Sequence, residues 1–344
     1  MDIERIIGFD ALWDSMMKCK RGVMWKDSVA GFCLDPMRQV SKLCDQLHDG
    51  TYKERPHKYF TISYPKERSI MSISFRDRVY QRSLNDVGIY PAMSKSFIYD
   101  NGACQTGKGA DFARNRFKCH LQRYYRKHGS EGWCLKMDVK GYYPNMRHDV
   151  AKQTFRKYLD DNVYERAAEI LDSFPTEVGF NPGSQIIQIA GISVLSPIDH
   201  YIKERLRVKH YIRYMDDMLI VGNSKAELEA IKADIGKRLA DIGFELHPTK
   251  TRITPLRNGV MFLGFNYHLT DTGKVILSID SNRVRAVRKK LARMVKKAKA
   301  GNMTREKVDQ SYTCWRSHAQ HGNSWKLIQR MDEYYNNLWS VSDD

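Results

Sequence analysis

No uninterrupted apolar run of about 18 residues, the length a helix needs to cross a bilayer, occurs in this chain. Its first residues, MDIERIIGFDALWD, mix acids with apolar side chains and lack the basic-then-apolar order of a secretory signal. A cytoplasmic location away from membranes is therefore expected. Cysteine is present but never paired by spacing: Cys19, Cys33, Cys44, Cys104, Cys119, Cys134 and Cys314 include no C-x-x-C and no Cys/His cluster. That odd, dispersed set points to reduced thiols and away from a disulfide frame or a zinc site. Repeats and low-complexity linkers are missing as well. Acid is in short supply, with 40 Asp and Glu against 57 Lys and Arg, a formal net charge of +17.

That balance, interleaved with 11% aromatic residues, favours a polyanionic partner, nucleic acid first. A basic but otherwise ordinary soluble enzyme is the alternative. The 344 residues, 42% of them hydrophobic, suffice for one multi-lobed enzyme or two domains with real cores.

Helical spacing in PMRQVSKLCDQL makes residues 1 to 50 helical. YFTISYP reads as a strand, and ERSIMSISFRDRVYQRSLNDV as a strand giving way to a basic helix. YDNGACQTGKG is a Gly-punctuated loop that opens another basic helix. WCLKMDVKGYY is a short apolar strand carrying one acid, and HDVAKQTFRKYL and VYERAAEILDSF are helices. After the turn VGFNPGS, QIIQIAGISVLSPIDHYIKERL reads as a helix bent near Pro197. A hairpin, the helix KAELEAIKADIGKRLADIG and strands around RITP and VMFLGFNYHL follow. Strands and helices in mixed order imply an α+β core.

The hairpin HYIRYMDDMLIVGNS, His210 to Ser224, sets Asp216 and Asp217 among residues that read as buried. A buried carboxylate is costly unless paired or metal-bound. Neighbouring side chains of a strand face opposite ways, so a turn at MDD is needed if either acid is to face a shared cleft. Asp is also common in tight turns for conformational reasons alone. A second isolated acid, Asp138, lies near the end of an apolar strand. If the two strands are neighbours, Asp138 and Asp216 converge in the arrangement that binds two Mg²⁺ ions about 3.5 to 4 Å apart. Mg²⁺ takes oxygen ligands and retains water and substrate phosphates, so few carboxylates suffice.

YMDD at Tyr214 to Asp217, LKMDVKGYYP around Asp138, HPTKT around Lys250 and FLGF at Phe262 to Phe265 together resemble the ordered motifs of reverse transcriptases. The resemblance runs from about Tyr59 to the C-terminus. It implies a right-hand polymerase of α+β class, with an antiparallel palm sheet and a helical thumb. Residues 1–130 would form an N-terminal helical extension and the fingers, with part of the palm interleaved, 131–278 the palm and 279–344 the thumb. The implied activity is RNA-directed DNA synthesis from deoxynucleotides on an RNA template and primer, giving cDNA, with two Mg²⁺ ions or Mn²⁺ in their place. A structured noncoding RNA and a small accessory protein or self-association are further partners to test.

The resemblance also implies roles. Asp138, with Val139 beside it, and Asp216 would hold the metals, Asp217 contributing less directly. Lys250 would sit near the leaving pyrophosphate. Tyr143 would pack under the incoming sugar and reject a 2′-hydroxyl, the alternative being a core aromatic. Lys66 and Arg68 would grip the triphosphate, unless they are a solvated pair. Gln188 would lie beside the incoming nucleotide, with Gly183 letting the backbone approach it. Lys108 and the Phe262, Leu263, Gly264 segment would touch nucleic acid. So would Arg285, Lys289, Arg293 and Lys296, in a run from Arg283 to Lys299 with nine basic residues and no acid; a solvated face is the alternative there.

The tail CWRSHAQHGNSWKLIQRMDEYY is similar to the thumb ending of bacterial retroelement enzymes, above all those of diversity-generating retroelements. That group usually has Ser where this chain has Ile187 and a fingers Arg where it has Gln105. An antiphage defence reverse transcriptase is the alternative, and an inactive RNA-binding protein on a polymerase scaffold a second one. No room is expected for an RNase H, endonuclease or maturase domain.

Overall fold

The computed structural model describes residues 3–63, 67–181 and 183–340. Helices Phe9–Cys19 and Pro36–His48 dominate the N-terminal region. The second starts where Pro36 occupies the first turn and the Asp35 carboxylate accepts from the Arg38 amide. Strands β1 (Lys58–Ile62) and β2 (Arg68–Ser72) form an antiparallel ladder, and Ser74 caps the following helix, Phe75–Ser83. Helix Ala110–His128 leads into β3 (Trp133–Asp138). Helices His148–Arg156, Asp161–Asp172 and Gln185–Val194 follow, the last breaking at Leu195 before Pro197 as the sequence predicts.

Strands β4 (Tyr211–Tyr214) and β5 (Asp217–Gly222), helix Lys225–Asp241 and β6 (Arg252–Pro255) complete a four-stranded sheet in the order β4-β5-β3-β6, antiparallel throughout. Strands β3, β4 and β5 are buried on both faces, whereas the edge strand β6 is not. Leu135, Met137, Met218 and Ile220 enter one hydrophobic cluster, Cys134, Leu219 and Val221 another. The period of two thus sorts each strand between two cores. The first cluster runs from Ile6 to Phe244, so the division expected near residue 130 is not a break in packing.

A second antiparallel sheet, β7 (Val260–Phe262), β8 (Phe265–Leu269) and β9 (Val275–Ser278), covers the other face. VMFLGFNYHL is therefore two strands around a turn at Leu263 and Gly264, both at positive φ, and β9 was not visible in the sequence pattern. Helices Ser281–Lys299, Arg305–Gln320 and Trp325–Ser340 share a third cluster, where Tyr312 stacks on Tyr335 at 4.2 Å. They attach through Asn323, which exchanges two hydrogen bonds with the Leu277 backbone, and through His318 stacked on Phe265. Among the described residues no helix is long and apolar enough to cross a membrane.

Candidate active site

The turn between β4 and β5 is two residues long: Tyr214 pairs with Asp217, leaving Met215 and Asp216 at the tip. On the other side of β5, the register sets Asp138 directly opposite Asp217. Directly opposed residues share a face, with Cβ atoms about 4.5–5.5 Å apart, and like charges there repel. Two lysines offset that repulsion. Lys136, two residues before Asp138 and so on its face, stands with Nζ 3.1 Å from Asp217 Oδ1 and donates to the Met261 carbonyl at 3.2 Å. Lys250 Nζ donates to Asp138 Oδ1 at 2.9 Å. Burial, and then the charges of Asp217 and Asp138, push the Asp216 carboxyl up to about 6. Asp217 is raised too, mainly by burial, although Lys136 draws it down.

Buried Asp138 and half-buried Asp216 and Asp217 form a donor set of hard oxygens suited to a divalent cation. Among the described residues no three His, Cys, Asp or Glu side chains cluster tightly enough to enclose one ion. Carboxylate oxygens are the ligand type Mg²⁺ takes, with water and phosphate filling the rest of its shell. Val139 is buried, so only its backbone carbonyl could serve.

A buried ion pair that the motif reading missed holds the turn. Arg213 and Asp199 are both fully buried, with Nε 2.8 and 3.0 Å from the two carboxylate oxygens and Nη2 2.6 Å from Oδ2. Tyr211 donates its hydroxyl to the same carboxylate at 2.6 Å. The remaining donors of Arg213 reach the Ile192 carbonyl and, through Nη1 at 2.9 Å, the Met215 carbonyl. Met215 has φ of 56°, a left-handed conformation unfavourable for a side chain of its size, and the guanidinium anchors it there. A lone Arg in the apolar strand YIRY and a lone Asp in SPIDH were the available signals.

Tyr143 is half-buried and lies against the helix Gln185–Val194. A Cβ at Gly191 would come 2.9 Å from its hydroxyl, so only glycine leaves room for the ring. Burial raises the phenol, with Cys104 and Asp216 adding to it, which places Tyr143 beside the carboxylates. Gln188 is exposed on the same helix, 3.9 Å from the Cys104 thiol, which in turn is 3.7 Å from the Met215 sulfur. Ile187 is fully buried, so a hydroxyl there would face the core, not the cleft. Gln105 donates to the Asn101 carbonyl at 2.8 Å and braces its own loop.

Other expected residues lie elsewhere or are engaged differently. Lys66 is outside the described residues, and Arg68 opens β2 with an exposed side chain. Gly183 approaches protein closely, since a Cβ would meet the Met71 carbonyl of β2 at 2.4 Å; the glycine is required by the neighbouring strand. Lys108 donates to the Tyr99 and Asn101 carbonyls at 2.9 and 3.0 Å, so it is a loop brace with most of its donors taken. The Phe262 ring is 1% exposed and packs edge-on against Phe117. Only the half-buried tip Leu263–Gly264 faces outward, with Gly264 against the His318 ring. Arg285, Lys289, Arg293 and Lys296 are all exposed along helix Ser281–Lys299, while Leu291 and Val295 bury its other side.

With this geometry in hand, comparison with known proteins is informative. The family described as reverse transcriptase (RNA-dependent DNA polymerase) matches residues 63–267. No curated protein matches the sequence. Among solved structures, an apo telomerase from Candida tropicalis truncated from its C-terminal domain is similar with a TM-score of 0.50 at 13% identity, over 65% of this chain and 55% of that one. An apo telomerase from the same organism gives 0.47 at 12% identity, over 82% of this chain and 61% of its own. The chain thus spans little more than half the length of the telomerase chains it matches.

Proposed function

This chain belongs to the reverse transcriptase family, and from that premise we propose that it copies an RNA template into DNA with Asp138, Asp216 and Asp217 as the reaction centre. One observation carries the reading: the register that opposes Asp138 to Asp217 while the anchored turn adds Asp216, whose proton affinity is raised first by burial and then by both neighbours. Two Mg²⁺ ions, or Mn²⁺ in their place, would lower the pKa of the primer hydroxyl and neutralise phosphate charge there. Lys250 would then be released from Asp138 to face the leaving pyrophosphate. Tyr143 would form the floor under the sugar, and Gln188 the flank of the base. The exposed cations of helix Ser281–Lys299 would follow the duplex backbone as a thumb spanning 279–344, with fingers before about residue 130 and the palm between.

Incorporation of labelled deoxynucleotides on an RNA template with a DNA primer, with Mg²⁺ or Mn²⁺, tests the activity. Asp138→Asn and Asp216→Asn should each abolish it in a folded protein. RNA binding without incorporation by the wild type would leave the inactive-scaffold reading. For the biological role, we favour a diversity-generating retroelement in the bacterial cytoplasm. The departure at Ile187 removes no group from the cleft, which supports that choice. Sequenced cDNA should then carry errors concentrated at template adenines; accurate copies would favour the antiphage role.

A further inference from the structure

The end of the four-stranded sheet farthest from the carboxylates carries charge that the polymerase site does not use. Helix Ala110–His128 crosses β4 through a cluster of rings, His120 to His210 at 5.8 Å, Tyr124 to His210 at 5.7 Å and Tyr124 to His128 at 4.9 Å. Its last turns present Arg123, Arg126 and Lys127 to solvent, and the segment entering β4 presents Arg205, Arg207 and Lys209. None of these six makes an ion pair or a side-chain hydrogen bond among the described residues. The acids nearby are engaged: Asp100 is enclosed by Arg116, His120 and Lys203, and Glu204 by His200. Glu131 and Asp271, whose carboxylate accepts from Ser130 at 2.9 Å, add two negative charges past the helix end.

From these observations we propose that this surface is a second nucleic-acid site, holding the sugar-phosphate backbone of RNA outside the duplex being extended. It rests on the polymerase reading for the identity of the polymer. Lys209 and Asp216 are seven residues apart through β4, so the patch lies roughly 20 Å from the carboxylates. It is also a separate track from the basic helix Ser281–Lys299. The other end of helix Ala110–His128 meets the C-terminal helices, where Asp111 pairs with His321 at 2.9 Å. Arg123 lies twelve residues on, about 18 Å along the axis. Local cation crowding is felt inside the fold: burial first, then the charges of His120, His128, Lys203 and Arg123, push the His210 imidazole down to about 4. No large apolar side chain is exposed in the patch. A protein partner would find no anchor there, whereas phosphates need only the cations.

The test uses the full chain and two triple variants, Arg123→Gln with Arg126→Gln and Lys127→Gln, and Arg205→Gln with Arg207→Gln and Lys209→Gln. The probe is an RNA hairpin with a blocked 3′ end, titrated between 50 and 200 mM salt. Each phosphate contact contributes close to one unit to the slope of log affinity against log salt, so each triple variant should lower it by roughly two to three units. Deoxynucleotide incorporation on a short primer–template, with little RNA beyond the duplex, should stay within about twofold of wild type. An unchanged hairpin slope overturns the proposal. So does an equal loss on the short primer–template, which would place these cations on the extending duplex. Failure of the polymerase reading is seen separately, as a wild type that incorporates nothing while the hairpin slope still responds.

Discussion

Removing the Asp199 carboxylate leaves the Arg213 guanidinium fully buried with no counter-ion. Deleting one partner of a buried pair costs about 3–5 kcal/mol, chiefly from the stranded charge. Asp199→Ala should therefore destabilise the chain by that amount, read as a lowered urea midpoint. The triple variant Asp199→Leu, Tyr211→Phe, Arg213→Met removes both charges and the phenol that donates to Asp199, and an apolar replacement of a buried pair is often neutral or better. Stability should recover to within about 2 kcal/mol of wild type, the residue being the Ile192 carbonyl left without its donor. Activity should not recover. The charge-assisted bond to the Met215 carbonyl, about 1.5–3 kcal/mol, offsets the 1–2 kcal/mol or so that a left-handed φ of 56° costs that residue. Without it the tip relaxes and Asp216 moves. A displacement of about 1 Å at a reacting group costs on the order of 10²-fold, so single-turnover primer extension should slow by about that factor with nucleotide KM little changed. A triple variant that is stable and extends primers at the wild-type rate would show that the turn holds itself. Unchanged stability in Asp199→Ala would show that the pair is not buried as described.

Tyr143→Ala should admit ribonucleotides while deoxynucleotide synthesis stays measurable; unchanged discrimination in a competition assay would make the ring mere packing against Gly191. Changing Arg285, Lys289, Arg293 and Lys296 together to Gln keeps helix propensity and the Leu291 and Val295 contacts, so the salt slope of duplex binding should drop by roughly two to four units and processivity should fall more than single additions. The sequence-independent loss is checked on two unrelated duplexes. His210, depressed to about 4 by burial and by His120, His128, Lys203 and Arg123, is neutral when folded, whereas an unfolded His takes a proton near 6.5. Stability should thus fall as pH drops from about 6.5 to 4, by on the order of 2 kcal/mol after screening, and His210→Phe should flatten that part of a urea-midpoint profile.

Much of the site was legible because it is local. YMDD had to be a turn if its acids were to serve one cleft, and β4 and β5 close around it with two residues at the tip. The role of Asp138 required a pairing about 80 residues away in sequence, and only the motif order suggested it. Residues whose surroundings depend on distant neighbours could not be placed from the sequence. A glycine before a helix suggested room for a nucleotide, yet Gly183 makes room for the Met71 carbonyl. Lys108 was expected to touch nucleic acid, and in a loop that turns at Cys104 and Gly107 it also satisfies two carbonyls. Alternation could have corrected Phe262, which shares a face with Val260 and so points into the core with it. Nothing in the sequence joins Asp199 to Arg213, because their contact exists only once the helix broken at Leu195 folds back under β4.

The two lysines at the centre are not equivalent, and the difference explains how three acids can share one small volume. Lys136 is 17% exposed and is fixed at both ends of its reach, by Asp217 and by the Met261 carbonyl of the neighbouring sheet. Lys250 is 55% exposed and holds only Asp138. A half-buried ammonium with two partners costs more to dislodge than a mostly exposed one with a single partner. If a divalent cation binds, Lys250 would be displaced from Asp138 more readily than Lys136 from Asp217. Asp216, with no lysine ion pair of its own and a proton affinity raised first by burial and then by both neighbours, gains most from added positive charge. On this electrostatic ranking we propose Asp138 and Asp216 as the pair that would face a metal. Asp217 is instead engaged by Lys136, whose ammonium also reaches the Met261 carbonyl of the second sheet.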